Sequence, residues 1–263
     1  MSSCQRILVA LIALIALAGC IDRSKIKPSP ETARRELALK GVPYDEKTFI
    51  ERASLGETVN VKLFLAAGMN PNVKNADGDT ALIAAGKAGR AEVIKALVAG
   101  GADPKATDKQ GLTALMRASR HSQPVAVQAL LAQGADINSL GNVGATALMY
   151  AAVEGNPEII KILLDAKADV NARDKDVGTA LAWAAVYHRV AMTESLLARG
   201  ADPNITNEGG GTPLMIAAYN GNQKIVRALL DKGADKRATD KDGFTAEKWA
   251  LKGRRDETAK MLK

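Results

Sequence analysis

The sequence predicts an all-α solenoid of about six to seven 33-residue helix-turn-helix units. Three observations carry that prediction. Thr80, Thr113, Thr146, Thr179, Thr212 and Thr245 each stand 33 residues from the next. Leu82, Leu115, Leu148, Leu181 and Leu214 repeat two places after the threonine, with Phe49 in the equivalent slot of a first unit. Ala102-Asp103, Ala135-Asp136, Ala168-Asp169, Ala201-Asp202 and Ala234-Asp235 keep the same spacing. A fixed period of this size is the mark of stacked repeats, and no insertion disturbs it between residues 47 and 245. With 47% apolar and 25% charged residues the 263-residue chain has the make-up of a folded protein with a sizeable core. Aromatics are only 3%, so Ala, Leu, Ile and Val must fill that core.

The first element is a leader. Arg6 is followed by an unbroken apolar stretch from Ile7 to Ala18 and then by Gly19 and Cys20. Such a stretch would span about 18 Å as a helix, against a hydrocarbon core of about 30 Å. A charged start, a short apolar middle and small residues at the exit describe a secretory signal over residues 1–19. The alternatives are an ordinary signal peptide with a chance cysteine, or a buried N-terminal helix. Leu17-Ala18-Gly19-Cys20 resembles a bacterial lipobox. That resemblance implies cleavage before Cys20, a diacylglyceryl group on its sulfur and acylation of the new amino terminus, and several acyl chains make a stable anchor. It also implies a periplasm-facing protein of the cell envelope. In Gram-negative lipoproteins an Asp after the cysteine marks retention in the inner membrane, and Ile21 in its place favours the outer one. Cleavage would remove Cys4 and commit Cys20 to lipid, leaving no disulfide, and residues 20–29 read as the lipidated cysteine and a polar, proline-punctuated tether.

Residues 30–46 are expected to cap the stack. Ser29-Pro30-Glu31 can start a helix running through Leu37 to about Lys40, with Gly41 ending it. Residues 47–263 are the repeat domain. In its fourth unit Thr146 opens one helix, Gly155 ends it, Asn156 caps the next with Pro157 at its first position, and Leu163-Leu164 lies inward. Gly68, Gly101, Gly134, Gly200 and Gly233 form a column at the left-handed exit that Lys167 interrupts. Ala151-Ala152, Ala184-Ala185 and Ala217-Ala218 let neighbouring helices approach closely. Helices this short do not persist alone, so stacking must stabilise them. The seventh unit stops at Lys263 with a shortened second helix, and its lysines and arginines supply the polar outer face that a terminal repeat needs.

The period together with Thr80-Ala81-Leu82, Thr212-Pro213-Leu214 and Gly200-Ala201-Asp202-Pro203-Asn204 resembles ankyrin repeats, over about residues 47 to 263. The resemblance implies an ankyrin-repeat solenoid that binds a protein partner. Departures are visible. The histidine usual after Thr-Pro-Leu is Ile83, Met116, Met149, Ala182 or Met215 here, and Ser122 and His188 replace the glycine that ends the first helix in two units.

Chemistry for catalysis is not found. The sequence has no GxSxG, GxxxxGK or GxGxxG motif. His121 and His188 fall two repeats apart, too far to share a centre, so no metal, cofactor or catalytic residue is assigned and an enzyme is not expected. Asp240-Lys241-Asp242-Gly243 lacks the further ligands of a calcium loop, and Gly209-Gly210-Gly211 lacks the strand and lysine of a phosphate cradle. Ten basic and six acidic side chains crowd residues 232–263, which reads as a solvated cap, or else as a surface attracted to anionic lipid or an acidic partner. Nucleic acid is not expected for an exported chain.

In ankyrin-like stacks the hairpin tips and the exposed side of the first helices form the concave binding surface. Four residues beyond each threonine stand Ala84, Arg117, Tyr150, Trp183, Ile216 and Trp249, and three further on Lys87, Arg120, Val153, Val186, Tyr219 and Lys252 share that face. Tyr187 follows Trp183 by one helical turn, and Phe244 precedes Thr245. Trp, Tyr and Arg most often dominate binding energy. The candidate docking residues are therefore Arg117, Arg120, Tyr150, Trp183, Tyr187, Tyr219, Trp249 and Phe244, with Lys109 and Lys175 on the rim. The alternative buries Trp183 and Trp249 between adjacent repeats. The expected function is a lipid-anchored, monomeric binding protein. Within it, the chain resembles immunity lipoproteins that neutralise secreted antibacterial effectors such as lipases, and an envelope scaffold, assembly or stress-protection factor is the alternative.

Overall fold

The computed structural model describes residues 28–263; the leader, Cys20 and most of the tether lie outside the described residues. Fifteen helices and no strand appear among those residues. The cap helix is α1 (Pro30–Leu39). Units one to seven then contribute the pairs α2 (Glu46–Leu55) and α3 (Thr58–Ala66), α4 (Ala81–Lys87) and α5 (Ala91–Ala99), α6 (Ala114–Arg120) and α7 (Pro124–Ala132), α8 (Ala147–Glu154) and α9 (Pro157–Asp165), α10 (Ala180–Val186) and α11 (Val190–Ala198), α12 (Pro213–Asn220) and α13 (Gln223–Asp231), and α14 (Ala246–Lys252) and α15 (Asp256–Leu262). First helices stack on first helices from α2 to α14, and second helices on second helices from α3 to α13, with α1 laid on α3 and α15 on α14. No described helix is long and apolar enough to cross a membrane.

The repeated threonine does what its place at a helix start requires. In all six units it lies in extended backbone and its side chain accepts from the amide three residues on, at 3.2–3.4 Å. Each such cap contributes about 1 kcal/mol. The leucine column is fully buried, as are the alanine pairs 151–152, 184–185 and 217–218, so adjacent first helices meet through methyl groups. Where the family histidine is missing, two methionines partly take over. The amides of Thr146 and Thr212 donate to Sδ of Met149 and Met215, at 3.4 and 3.5 Å.

Both expected exceptions in the glycine columns adopt the conformation that glycine would have supplied. Ser122 and His188 have φ of +54° and +58°, and Lys167 has +69°. A third case was not legible as one. Gly253 stands where α14 ends, yet the left-handed residue is the next, Arg254, at +57°. Each non-glycine residue there carries strain that the surrounding stack must hold.

The cap is a unit with its hairpin tip removed. The turn after α1 at Gly41 and the one after α3 at Gly68 use the same pair of closing bonds: Gly41 N–H to Ala38 O with Val42 N–H to Leu37 O, and Gly68 N–H to Leu65 O with Met69 N–H to Phe64 O. Gly41 precedes Gly68 by 27 residues rather than 33. The first unit consequently opens at Glu46 under an Asp45 cap, just ahead of the residue 47 that the period gives. Tyr44 fills the shortened turn. It stacks on Phe64 at 5.5 Å, lies under Arg34 at 4.9 Å and donates its hydroxyl to Ala67 O at 3.0 Å, while Phe49 packs on Phe64 from below. These three of the nine aromatics seal the N-terminal end of the core.

Along the turns after the second helices, asparagine side chains bridge successive units. Oδ1 of Asn72, Asn138, Asn171 and Asn204 accepts from the amides of Asp103, Asp169, Asp202 and Asp235, at 2.8–3.0 Å. Lys105 occupies the missing rung. One buried polar atom is left without a partner inside the stack: Ser119 Oγ, in a fully buried residue of α6 whose counterparts are Ala152, Ala185 and Ala218. A buried hydroxyl without a partner costs about 1–3 kcal/mol. Ser119→Ala is therefore expected to raise the stability in urea unfolding by about 1 kcal/mol, and an unchanged or lower midpoint would show that the hydroxyl is satisfied in solution.

Candidate functional site

Each unit begins with a hairpin tip, and five of the six tips ahead of the repeated threonines are organised by one Asx side chain. Oδ1 of Asn75 accepts from the amides of Asp77 and Asp79, Asp108 from Gln110 and Leu112, Asp174 from Asp176, Val177 and Gly178, Asn207 from Gly209 and Gly211, and Asp240 from Asp242 and Phe244. In the remaining tip this place is Gly141. The glycine run 209–211 and the residues 240–243 are thus turn structure, with their acceptors and amides spent on each other. Among the described residues no cluster of His, Cys, Asp and Glu could hold a metal.

Three of these tips carry an aspartate, and its second oxygen reaches the face. Nine residues on, Asp108 Oδ2 accepts from Arg117 Nε at 2.6 Å, Asp174 Oδ2 from Trp183 Nε1, and Asp240 Oδ2 from Trp249 Nε1 at 2.7 Å. The three aspartates are 66 residues apart, as are the three planar groups they hold. The tips follow the same double period. Lys109 N–H donates to Asp77 O, Lys175 N–H to Val143 O and Lys241 N–H to Gly209 O, at 3.1–3.2 Å, joining tips two to three, four to five and six to seven. No such bond joins tips three to four or five to six among the described residues. The surface is built from pairs of repeats. In each pair the second member carries the aspartate and the side chain it fixes.

The sequence-derived residues fall on this surface in three groups. Arg117 lies half-buried against Asp108 and Gln110, and Arg120 projects over the ring of Tyr150 at 5.8 Å. Trp183 and Tyr187 stack at 5.8 Å with 19° between their planes, and with Tyr150 and Arg120 they line a cavity of about 360 Å³. Farther along, Tyr219 meets Trp249 edge to face at 5.7 Å, Phe244 packs on Trp249 at 5.9 Å, and Lys252 lies over Trp249 at 4.4 Å. Lys109 and Lys175 are exposed at their tips. Tyr187 and Tyr219 are 44% and 46% exposed, while Tyr150, Trp183, Phe244 and Trp249 are half-buried. The two tryptophans are neither sealed between repeats nor free: one edge is anchored to a tip carboxylate and the rest of the ring faces outward. The carboxylate partners Asp108, Asp174 and Asp240 were not singled out from sequence. Their only signal was the double period. A wider depression of about 650 Å³ at the cap, lined by Arg34, Tyr44 and Asp45, lies away from this face.

Charge is arranged unevenly across the three aspartates. Burial opposes ionisation of Asp108, and the Arg117 guanidinium with the Leu112 and Gln110 amides outweighs it, so its carboxyl is held below the usual carboxylate range. Asp240 is likewise lowered: burial raises it, and the Phe244 amide and the Trp249 indole prevail. For Tyr150, burial pushes the phenol up despite Arg120 and Arg117 nearby. A carboxylate depressed in the folded state contributes stability that is present above its unfolded pKa of about 4 and disappears as pH falls through the folded value. Asp108→Asn is expected to flatten the loss of stability between about pH 5 and 2 and to lower stability at pH 7, where Arg117 is left without its partner. Identical acid profiles for the variant and the parent would contradict the ionised pair.

Comparison with known proteins agrees with this architecture. A family model of ankyrin repeats, three copies in length, matches residues 51–141, 126–207 and 181–263. No curated protein sequence matches the chain significantly. Among solved structures, the human ASB11 ankyrin repeat domain aligns with a TM-score of 0.72 at 27% identity, over 82% of this chain and 97% of that one. The ankyrin repeat domain of Bcl-3, described as a unique member of the IkappaB protein family, aligns with a TM-score of 0.71 at 28% identity, over 81% of this chain and 97% of that one. The hairpin tips, the threonine caps and the stacked helix pairs are those of a family that this chain joins over most of its length: it belongs to the ankyrin repeats.

Proposed function

We propose that the chain is a non-enzymatic binding protein that engages a protein partner across the tips and first helices of units three to seven. One observation carries this reading: six of the nine aromatics gather on that face, with the indole N–H groups of both tryptophans anchored to tip carboxylates. Rings fixed before the encounter lose little freedom on binding, which is where affinity is gained without extra area. Arg117, Arg120, Tyr150, Trp183, Tyr187 and Tyr219 form the centre, Phe244 and Trp249 extend it, and Lys109 and Lys175 rim it. Ankyrin repeat domains are protein-interaction folds, which supports the class of function and leaves its partner to chemistry and context.

The finer reading joins this face to the leader. Cys20 is lipidated, the chain faces the periplasm from the outer membrane, and the partner is a secreted antibacterial effector such as a lipase, which the chain neutralises as an immunity protein. A membrane tether holds the face where an incoming effector acts. A radiolabelled palmitate precursor is expected to label the parent chain and not Cys20→Ser, and equal labelling would remove the anchor. For the face, Trp183→Ala with Tyr219→Ala is expected to weaken partner binding by at least about 2 kcal/mol in calorimetry with the effector encoded beside the chain. Unchanged affinity in that double variant would refute the assignment of the site.

A further inference from the structure

The two anchored tryptophans differ in what lies over them. Trp249 and Phe244 have the ammonium of Lys252 at 4.4 and 5.2 Å, and Tyr150 has the guanidinium of Arg120 at 5.8 Å. No cation of the described residues stands over the Trp183–Tyr187 pair. The carboxylates differ in the same way. Unit two sets Lys87 on Asp79 at 2.5 Å, and unit three sets Arg117 on Asp108. In unit five the equivalent of Arg117 is Trp183, so the buried Asp174 is satisfied by amides and an indole alone and keeps its charge uncompensated. The cavity beside it, between Tyr150 and the Trp183–Tyr187 pair, is also lined by Glu154 and Asp176, and neither is in an ion pair among the described residues.

We propose that this cavity takes a cationic side chain, a guanidinium or an ammonium, presented by the protein partner. The inference rests on the docking face proposed above and states what its central pocket recognises. Aromatic faces carry negative charge density and attract a cation within about 6 Å. Here the rings of Trp183 and Tyr187 offer such faces, and Glu154 and Asp176 supply the opposite charge at the rim. Arg120 does not fill the place: it belongs to the preceding unit and covers Tyr150, on the far side of the cavity from Tyr187. The guest supplies from outside the cation that Arg117 and Lys252 supply from within at neighbouring positions. An acidic or neutral polar guest would meet uncompensated carboxylates and gain nothing from the rings.

The chain contains two tryptophans, so a 15N-labelled full chain gives two indole N–H resonances, assigned with Trp249→Phe. The probes are N-acetyl-arginine amide, N-acetyl-lysine amide and the uncharged N-acetyl-citrulline amide, titrated at constant ionic strength. The Trp183 resonance is expected to move saturably with the cationic amides and at least about fivefold less with citrulline, while the Trp249 resonance, under Lys252, stays in place. Glu154→Gln with Asp176→Asn is expected to weaken the response at least about fivefold from an unchanged starting position, which separates lost attraction from lost folding. The arginine and lysine arms tell guanidinium from ammonium. A citrulline response equal to that of arginine, movement of both indoles together, or no saturable movement with either cation would overturn the proposal. Because no partner is present, the outcomes separate. A flat titration beside a partner affinity that still depends on Trp183 and Tyr219 removes only the cation, and the reverse pattern removes only the docking face.

Discussion

Every helix in this molecule depends on its neighbours. Those of the seven units run seven to ten residues, below the length at which a helix persists in water, so their hydrogen bonds survive only because one face of each is covered by the next unit. That constraint selects the composition. Alanine lines the contacts between first helices because close approach needs small side chains, and leucine, isoleucine and valine fill the layer between first and second helices. It also accounts for the placement of aromatics. A ring is too large for the repeating interface, so three rings fill the irregular N-terminal cap and six stand on the outward side of the first helices.

The same constraint makes the tips informative. A hairpin tip lies outside the stacked layers and receives little support from them, so it must satisfy its own amides, and an Asx side chain does so in five of the six tips that precede the repeated threonines. Where the Asx residue is an aspartate, its second oxygen is free to hold a donor on the adjoining helix. The tip thereby becomes the fixture for Arg117, Trp183 and Trp249, and local turn chemistry is converted into the geometry of a binding face. The pairing of tips by backbone hydrogen bonds gives this face a grain of two repeats, with seams between units three and four and between units five and six.

Much of the fold could be read directly from the sequence because its devices recur in register. The threonine caps, the leucine column, the glycine exits and the exceptions at Ser122, Lys167 and His188 each follow from one residue at one position. What escaped were features that need two positions at once. The bond from a tip aspartate to a side chain nine residues later crosses a turn, and no helical or strand periodicity connects such residues. The sulfur of Met149 standing in for a family histidine depends on a rotamer, and the left-handed residue after α14 shifts from Gly253 to Arg254 because the helix runs one residue further. The face itself was half legible. Spacing put the aromatics on one side, whereas the exposure of Trp183 and Trp249 depended on where their indole N–H groups found an acceptor.

The central claim is that the binding face exists before any partner arrives, its tips locked by Asx side chains and joined in pairs. Amide hydrogen exchange on the free chain tests this most directly. The amides of Lys109, Lys175 and Lys241 donate across paired tips, whereas the corresponding Asn142 and Glu208 make no such bond, so the former should exchange at least about tenfold more slowly. Uniformly fast exchange at all of these positions would mean that the tips open freely, and a face carried on them would have to be assembled by its partner rather than offered to it.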